Sequence, residues 1–292
     1  MKFISTRDTK GDTLVSSAFA IKQGLAPDGG LYVPEYIPTI DKDFVTSLLK
    51  LSYPEKAAKI LSLYLDDFTS EELLDYANAA YTNGVFPPEV APLASVDNKL
   101  SVLELWHGPT AAFKDFALCI MPHLLTASLK KLGETRTAMI LVATSGDTGS
   151  AVGSAFHNVP GLDVTILYPE GKISPLQEKQ LSTFTGNVRA LKVKGTFDDC
   201  QRLVKTAFTD ASLREKLRLS SANSINISRL LPQSFYYMYA ALLVRNRAAM
   251  DNKIHDPSII MVVPSGNFGN LTSGLIAREM GAKIDNIHIM NK

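Results

Sequence analysis

The chain has 292 residues, 46% of them apolar and 20% charged. That is enough for one large domain or two medium ones around a sizeable core, and it excludes general disorder. Lys and Arg number 30 against 29 Asp and Glu, a formal net charge of +1, so there is no electrostatic footprint for nucleic acid or an anionic membrane surface.

Residues 1–40 read as irregular and turn-rich. Pro27-Asp28-Gly29-Gly30 is a turn signal before the short apolar run Leu31-Tyr32-Val33. Residues 41–83 read as helices, with Asp41 and Ser70 as N-caps and Leu73, Leu74, Ala77, Ala80 and Tyr81 at helical spacing. Phe86-Pro87-Pro88 and Ala91-Pro92-Leu93 form a connector. It divides an N-terminal region, 1–97, from an α/β core, 98–292, in which about 126–213 is expected to form a smaller lobe.

From there the pattern alternates. Strands are expected at 100–105, 137–143, 163–168, 188–193, 259–263 and 287–290, and helices at 116–132, 147–157, 174–184, 198–208, 227–247 and 268–280. Pro122 should perturb the first of these helices. Continuous apolar runs such as Thr137–Ala143 mark buried parallel strands, and strands alternating with helices predict an α/β fold of parallel sheet covered on both faces. In such folds ligands bind beyond the carboxyl ends of the strands.

Cys119 and Cys200 sit in apolar, helix-like runs without metal-ligand spacing, as core residues of a reducing, cytoplasmic compartment would. The N-terminus shows no apolar signal segment, and no run approaches the about 18 apolar residues needed to span a bilayer. His107, His123, His157, His255 and His288 form no HxH or HxxxH pair, so no metal is expected.

Four segments carry candidate chemistry. Ser145-Gly146-Asp147-Thr148-Gly149 and Ser265-Gly266-Asn267-Phe268-Gly269-Asn270 each follow a strand and open a helix. Glycine lets backbone N–H groups crowd a ligand, and a helix N-terminus favours an anion. Either turn alone is equally a tight connection. Two at equivalent places in one sheet point to a two-part anion site. Neither fits a dinucleotide or P-loop pattern. Phe113-Lys114-Asp115 opens a helix after a strand. Lys114 is either an exposed first-turn residue or a lysine at the ligand edge of the sheet, suited to Schiff-base chemistry. The polar run 220–229, with Ser224, Asn226 and Arg229, is either an N-cap cluster or an oxyanion clamp.

The combination HGPTAAFKDFA, ATSGDTGSAV, NSINISRLLPQ and VVPSGNFGNLTSG, with GLAPDGGLYVP near the N-terminus, resembles threonine synthase in order and along the whole chain. The resemblance implies a tryptophan-synthase-β-like fold and pyridoxal 5'-phosphate as cofactor. It implies conversion of O-phospho-L-homoserine and water to L-threonine and phosphate. It makes Lys114 the Schiff-base lysine, with Phe113 against the cofactor. The turn Ser265–Asn270 would hold the cofactor phosphate, and the turn Ser145–Gly149 the substrate α-carboxylate. Ser224, Asn226 and Arg229 are candidates for the leaving phosphate. Another lyase of this fold, a dehydratase or phospho-lyase, would share Lys114 and both turns, and a fold kept without turnover is the non-enzyme alternative. A small-molecule substrate, no nucleic-acid or membrane partner, and a monomer or homodimer are expected. Threonine synthases are longer chains. The resemblance therefore implies that the remainder of the large domain and the pyridine-nitrogen partner are not within these 292 residues, and that they turn over poorly alone.

Overall fold

The computed structural model describes residues 1–82, 84–250 and 257–290, so His255 lies outside the described residues. In chain order, β1 (Phe3–Ser5), α1 (Ser17–Gln23) and β2 (Tyr32–Pro34) precede α2 (Lys42–Leu48), α3 (Tyr53–Leu61) and α4 (Ser70–Tyr81). Next come β3 (Leu93–Ser95), β4 (Ser101–Leu103), α5 (Asp115–Leu118), α6 (Met121–Lys131), β5 (Ala138–Ala143), α7 (Asp147–Phe156) and β6 (Leu162–Pro169). They lead to α8 (Pro175–Ser182), β7 (Val188–Val193), α9 (Phe197–Thr209), α10 (Ala211–Leu217) and α11 (Ile227–Met250). The last described elements are β8 (Ile260–Pro264), α12 (Gly269–Glu279) and β9 (Asn286–Met290).

By packing, the chain divides into two discontinuous units. The first holds Met1–Glu35 and Gly108–Arg229, the second Tyr36–His107 and Leu230–Lys292. The expected contiguous ranges run along the sequence, whereas these units are assembled from separated stretches.

The first unit is built on a three-stranded parallel sheet, order β5-β6-β7. Side chains alternate across a strand, so each strand presents two faces. Met139, Leu141, Ala143 and Leu167 pack with Cys200, Val204 and Phe208 of α9. Ile140, Val142, Val164 and Ile166 are buried on the other face, where a Cβ on Gly149 of α7 would lie 3.0 Å from the Ile166 methyl. Both faces of β5 are covered, which is why it reads as a continuous apolar run, whereas the edge strand β7 leaves Arg189, Leu191 and Lys192 exposed. The other edge of β5 is taken by residue 220, whose N–H and C=O bond Met139 and Leu141 at 2.9 and 3.0 Å. At the N-terminus, β1 and β2 pair antiparallel and α1 packs on α6.

The helix expected over 116–132 is two helices. Pro122 cannot donate a backbone hydrogen bond, and it sits in the first turn of α6, where none is required. Helix α10 was not foreseen; Asp210 caps it by accepting from Leu213 N at 2.9 Å.

The second unit carries the helical pair α3 and α4, the antiparallel strands β3 and β4, and the parallel pair β8 and β9. Tyr53 anchors its core, edge-on to Tyr81, Phe235 and Tyr239 at centroid distances of 5.2, 4.4 and 5.3 Å. Two sequence expectations are corrected here. Strands β5 and β8 do not share a sheet, because each pairs only with strands of its own unit among the described residues. Ser70 is not the N-cap of α4. That residue is Thr69, which accepts from Glu72 N at 3.2 Å, while the Glu72 carboxylate takes the Thr69 N–H at 2.8 Å.

This capping box gives a direct check. Thr69→Ala should lower the unfolding free energy by about 1 kcal/mol, while Ser70→Ala should change it by less than about 0.5 kcal/mol. Urea denaturation of the two variants measures the difference, and equal effects would remove the cap from Thr69.

Candidate active site

In the first unit, Lys114 ends the loop 108–114 and directly precedes α5. Its ammonium lies over the Phe113 ring, 4.4 Å from the centroid, and pairs with Asp147 Oδ2. The lysine side chain is 16% exposed and the Asp147 side chain 44%, so the pair reaches solvent from the aspartate side. Structure thus brings together three residues singled out from two distant segments: Phe113, Lys114 and Asp147.

The turn between β5 and α7 is shaped from beneath. Thr144 is buried, and its Oγ1 accepts from Gly146 N at 3.0 Å and Gly149 N at 2.8 Å. Thr148 N donates to Asp147 Oδ1 at 2.9 Å. These bonds occupy three of the turn's backbone donors. For an anion they leave the N–H groups of Ser145 and Asp147 and the hydroxyls of Ser145 and Thr148. Gly146 has φ +141°, a region side chains avoid, and a Cβ there would lie 2.2 Å from Gln177 Oε1. Gln177, on α8, therefore packs on the turn. Nothing local in the sequence marks a residue 31 positions away as its neighbour.

The segment 220–229 runs along the edge of β5. Asn223 brackets the strand end, donating to Ala143 O at 3.1 Å and accepting from Ala143 N at 3.4 Å. Ser224 is half-buried. Asn226 is fully buried; its amide donates to Ile21 O and Ser221 O at 2.9 and 3.1 Å, and its Oδ1 accepts from Ser228 N and Oγ. Arg229 is buried as well and donates to Ala222 O at 2.6 Å. Asn226 and Arg229 thus hold the segment from its inner side.

In the second unit, the turn after β8 leads into α12. Ser265 is buried and its N–H meets Met290 O at 3.3 Å. Gly266 and Asn267 are exposed, and a Cβ on Gly266 would meet nothing within 4 Å. Phe268 precedes the helix in the left-handed region, φ +56°, and is 48% exposed. That conformation is unfavourable for a residue with a Cβ. Gly269 opens the helix, and no side chain caps it. Asn270 Oδ1 accepts from both Tyr236 and Tyr237 hydroxyls, at 2.5 and 2.7 Å. Its oxygen is committed to fixing the first turn of α12. Burial pushes the Tyr237 hydroxyl well above its usual range, so it stays a neutral donor.

Elsewhere the cysteines are free. Cys200 is fully buried, and burial pushes the Cys119 thiol up to about 12. Among the described residues no group of three or more His, Cys, Asp or Glu could hold a metal ion, and no helix is long and apolar enough to cross a membrane.

Residues 2–81 match the family described as threonine synthase N terminus. Threonine synthase of Escherichia coli is 44% identical over 271 residues, 92% of this chain and 59% of that protein. The chain is homologous to the threonine synthases along nearly all of its own length. It spans about three fifths of the curated relatives it matches. The crystal structure of the Escherichia coli threonine synthase superposes with a TM-score of 0.85 at 42% identity, over 98% of this chain and 63% of that one. A threonine synthase from Brucella melitensis with bound pyridoxal phosphate gives 0.85 at 38% identity, over 99% and 60%. The fold is that of these enzymes: parallel sheets wound with helices on both faces, preceded by a mainly helical region.

The hydroxyl of Thr144 is open to test. Thr144→Val keeps the shape and leaves two buried N–H groups without an acceptor, so stability should fall by about 1–3 kcal/mol, whereas Thr144→Ser should remain close to the parent. Urea unfolding monitored by fluorescence and circular dichroism compares the three. Parent-like stability of the valine variant would show that Thr144 does not hold the turn.

Proposed function

We propose that this chain carries the cofactor and substrate machinery of a pyridoxal-phosphate lyase that converts O-phospho-L-homoserine and water to L-threonine and phosphate. The observation that carries the reading is Lys114, a partly buried amine between an aromatic face and a single carboxylate, next to a turn with open N–H and hydroxyl donors. Similarity to threonine synthases over the segments that hold these groups supports the substrate.

The residues fit the cofactor. An aldehyde needs an amine held in place, and Lys114 is held by Phe113 and Asp147. A phosphate needs backbone donors and room, and the turn 265–270 offers both, with open space at Gly266 and an uncapped helix start at Gly269. Gly266, Asn267 and Gly269 would face the phosphate, while Ser265 and Asn270 fix the two ends of the turn. When bound, the cofactor supplies an electron sink for the substrate carbons.

The chain's own groups then divide the work. Ser145 and Thr148 and the N–H groups of Ser145 and Asp147 bind and orient the substrate carboxylate. Lys114 Nζ moves protons at the substrate's Cα and Cβ, and Asp147 holds that nitrogen in place between transfers. Ser224 offers a hydroxyl to the substrate phosphate. The buried charge of Arg229, little screened by water, favours that dianion at the segment's surface.

Borohydride reduction in the presence of pyridoxal phosphate, followed by peptide mapping, should place the label on Lys114, and phosphate should be released from O-phospho-L-homoserine but not from O-phosphoserine. A label confined to other lysines would reject the assignment. Gly266→Val should fold normally, because its Cβ position is open and its φ lies outside the left-handed region, yet should weaken cofactor binding at least tenfold. An unchanged dissociation constant in a spectroscopic titration would remove the turn from the cofactor's reach.

A further inference from the structure

The carboxylate of Asp115 stands beside Lys114 in sequence but faces the opposite way, into the protein. It is 1% exposed. Its Oδ2 accepts from Thr110 N at 2.9 Å and Ala112 N at 3.4 Å, and its Oδ1 accepts the Thr110 hydroxyl at 2.7 Å. The two backbone donors flank Ala111, which sits in the left-handed region with φ +55°. A residue with a Cβ does not rest there unless its surroundings enforce it. One oxygen thus braces the chain on both sides of the strained residue. Gly108 closes the loop from beneath, where a Cβ would lie 2.6 Å from both the Asp115 Cβ and Oδ2. Burial raises the carboxyl's affinity for a proton, and the Thr110 and Ala112 hydrogen bonds and the Lys114 charge oppose it.

From this geometry we infer that Asp115 is the positioning residue for Lys114: its carboxylate holds the 108–114 loop in the conformation that presents the amine. The inference rests on the reading of Lys114 as the cofactor lysine. Residues 108–112 have no strand or helix ladder of their own to fix them, and only the end of the loop, at Lys114, joins the first turn of α5. The loop's backbone bonds are Ala111 N to Gly108 O at 3.1 Å and Asp115 N to Ala112 O at 2.9 Å, with Phe113 O and Lys114 O accepting from the first turn of α5, and the three to the carboxylate brace the stretch before them. Without the carboxylate, Ala111 would relax toward an ordinary conformation and carry Lys114 with it. The role is geometric. An asparagine of the same shape can accept both N–H groups with its oxygen and donate to the Thr110 hydroxyl with its nitrogen. Alanine can do neither.

The test measures how fast pyridoxal phosphate becomes borohydride-reducible on Lys114, by peptide mapping of the full chain at fixed times. Asp115→Ala should slow labelling of Lys114 at least tenfold, and Asp115→Asn should stay within about threefold of the parent. Val204→Ala, in the α9 core away from the loop, serves as a destabilised control and should label at the parent rate. If Asp115→Ala labels as fast as the parent, the inference is overturned. If Val204→Ala slows labelling as much, the effect is one of general stability and the inference is likewise overturned. A slow Asp115→Asn would show that the carboxylate acts through its charge and not its geometry, again overturning it. Failure of the parent itself to label Lys114 is a different result. It rejects the reading of the lysine and is seen before any Asp115 variant is compared.

Discussion

The hydroxyl of Thr144 gathers two backbone N–H groups, and the form of the carboxyl edge of the first unit's sheet depends on that gathering. A parallel strand delivers its last residue to the sheet edge with the backbone still extended. Something must then turn the chain sharply into a helix without leaving buried donors unpaired. Thr144 supplies one acceptor for both ends of the turn. Asp147 can then use one oxygen on Thr148 N and direct the other at Lys114. Asn223 meets the same strand end from the side. The positions of the lysine's partner, the turn 145–149 and the 220–229 segment all follow from how β5 is terminated.

Two buried side chains recur as the means by which this chain fixes loops that have no ladder. Asp115 braces the segment before Lys114, and Asn226 ties the 220–229 segment to Ile21 and Ser221. In each case a short polar side chain is removed from water and given all its partners from backbone and hydroxyl groups. A buried polar group that lost those partners would be costly, so each serves to select one loop conformation over its alternatives. The second unit does the same with Asn270 and two tyrosine hydroxyls at the start of α12.

Much of this was readable in the sequence. The apolar run of β5, the largely apolar β6 and the glycine turns are local signals, and Pro122 marks the break between α5 and α6. The true cap of α4 is legible too, since Glu72 stands three residues after Thr69 and completes a capping box. The bracing by Asp115 lies within five residues, so the habit of aspartate to bond nearby backbone could have suggested it. Other features had no local trace. Which strands share a sheet is decided by pairing between distant segments, and periodicity is silent about it. The packing of Gln177 on Gly146 and the commitment of the Asn270 oxygen to two tyrosines depend on the same long-range assembly.

The bond from Asn226 to the carbonyl of Ile21 joins residues 205 positions apart. Closing so long a loop costs chain entropy that is repaid only once both ends are ordered, and contacts of this span slow folding. During synthesis from the N-terminus, Ile21 leaves the ribosome long before Asn226 exists. Until some two hundred further residues have been made, water and not Asn226 bonds this carbonyl. The native bond therefore closes only after the 220–229 segment, the C-terminal stretch of the first unit, has been made.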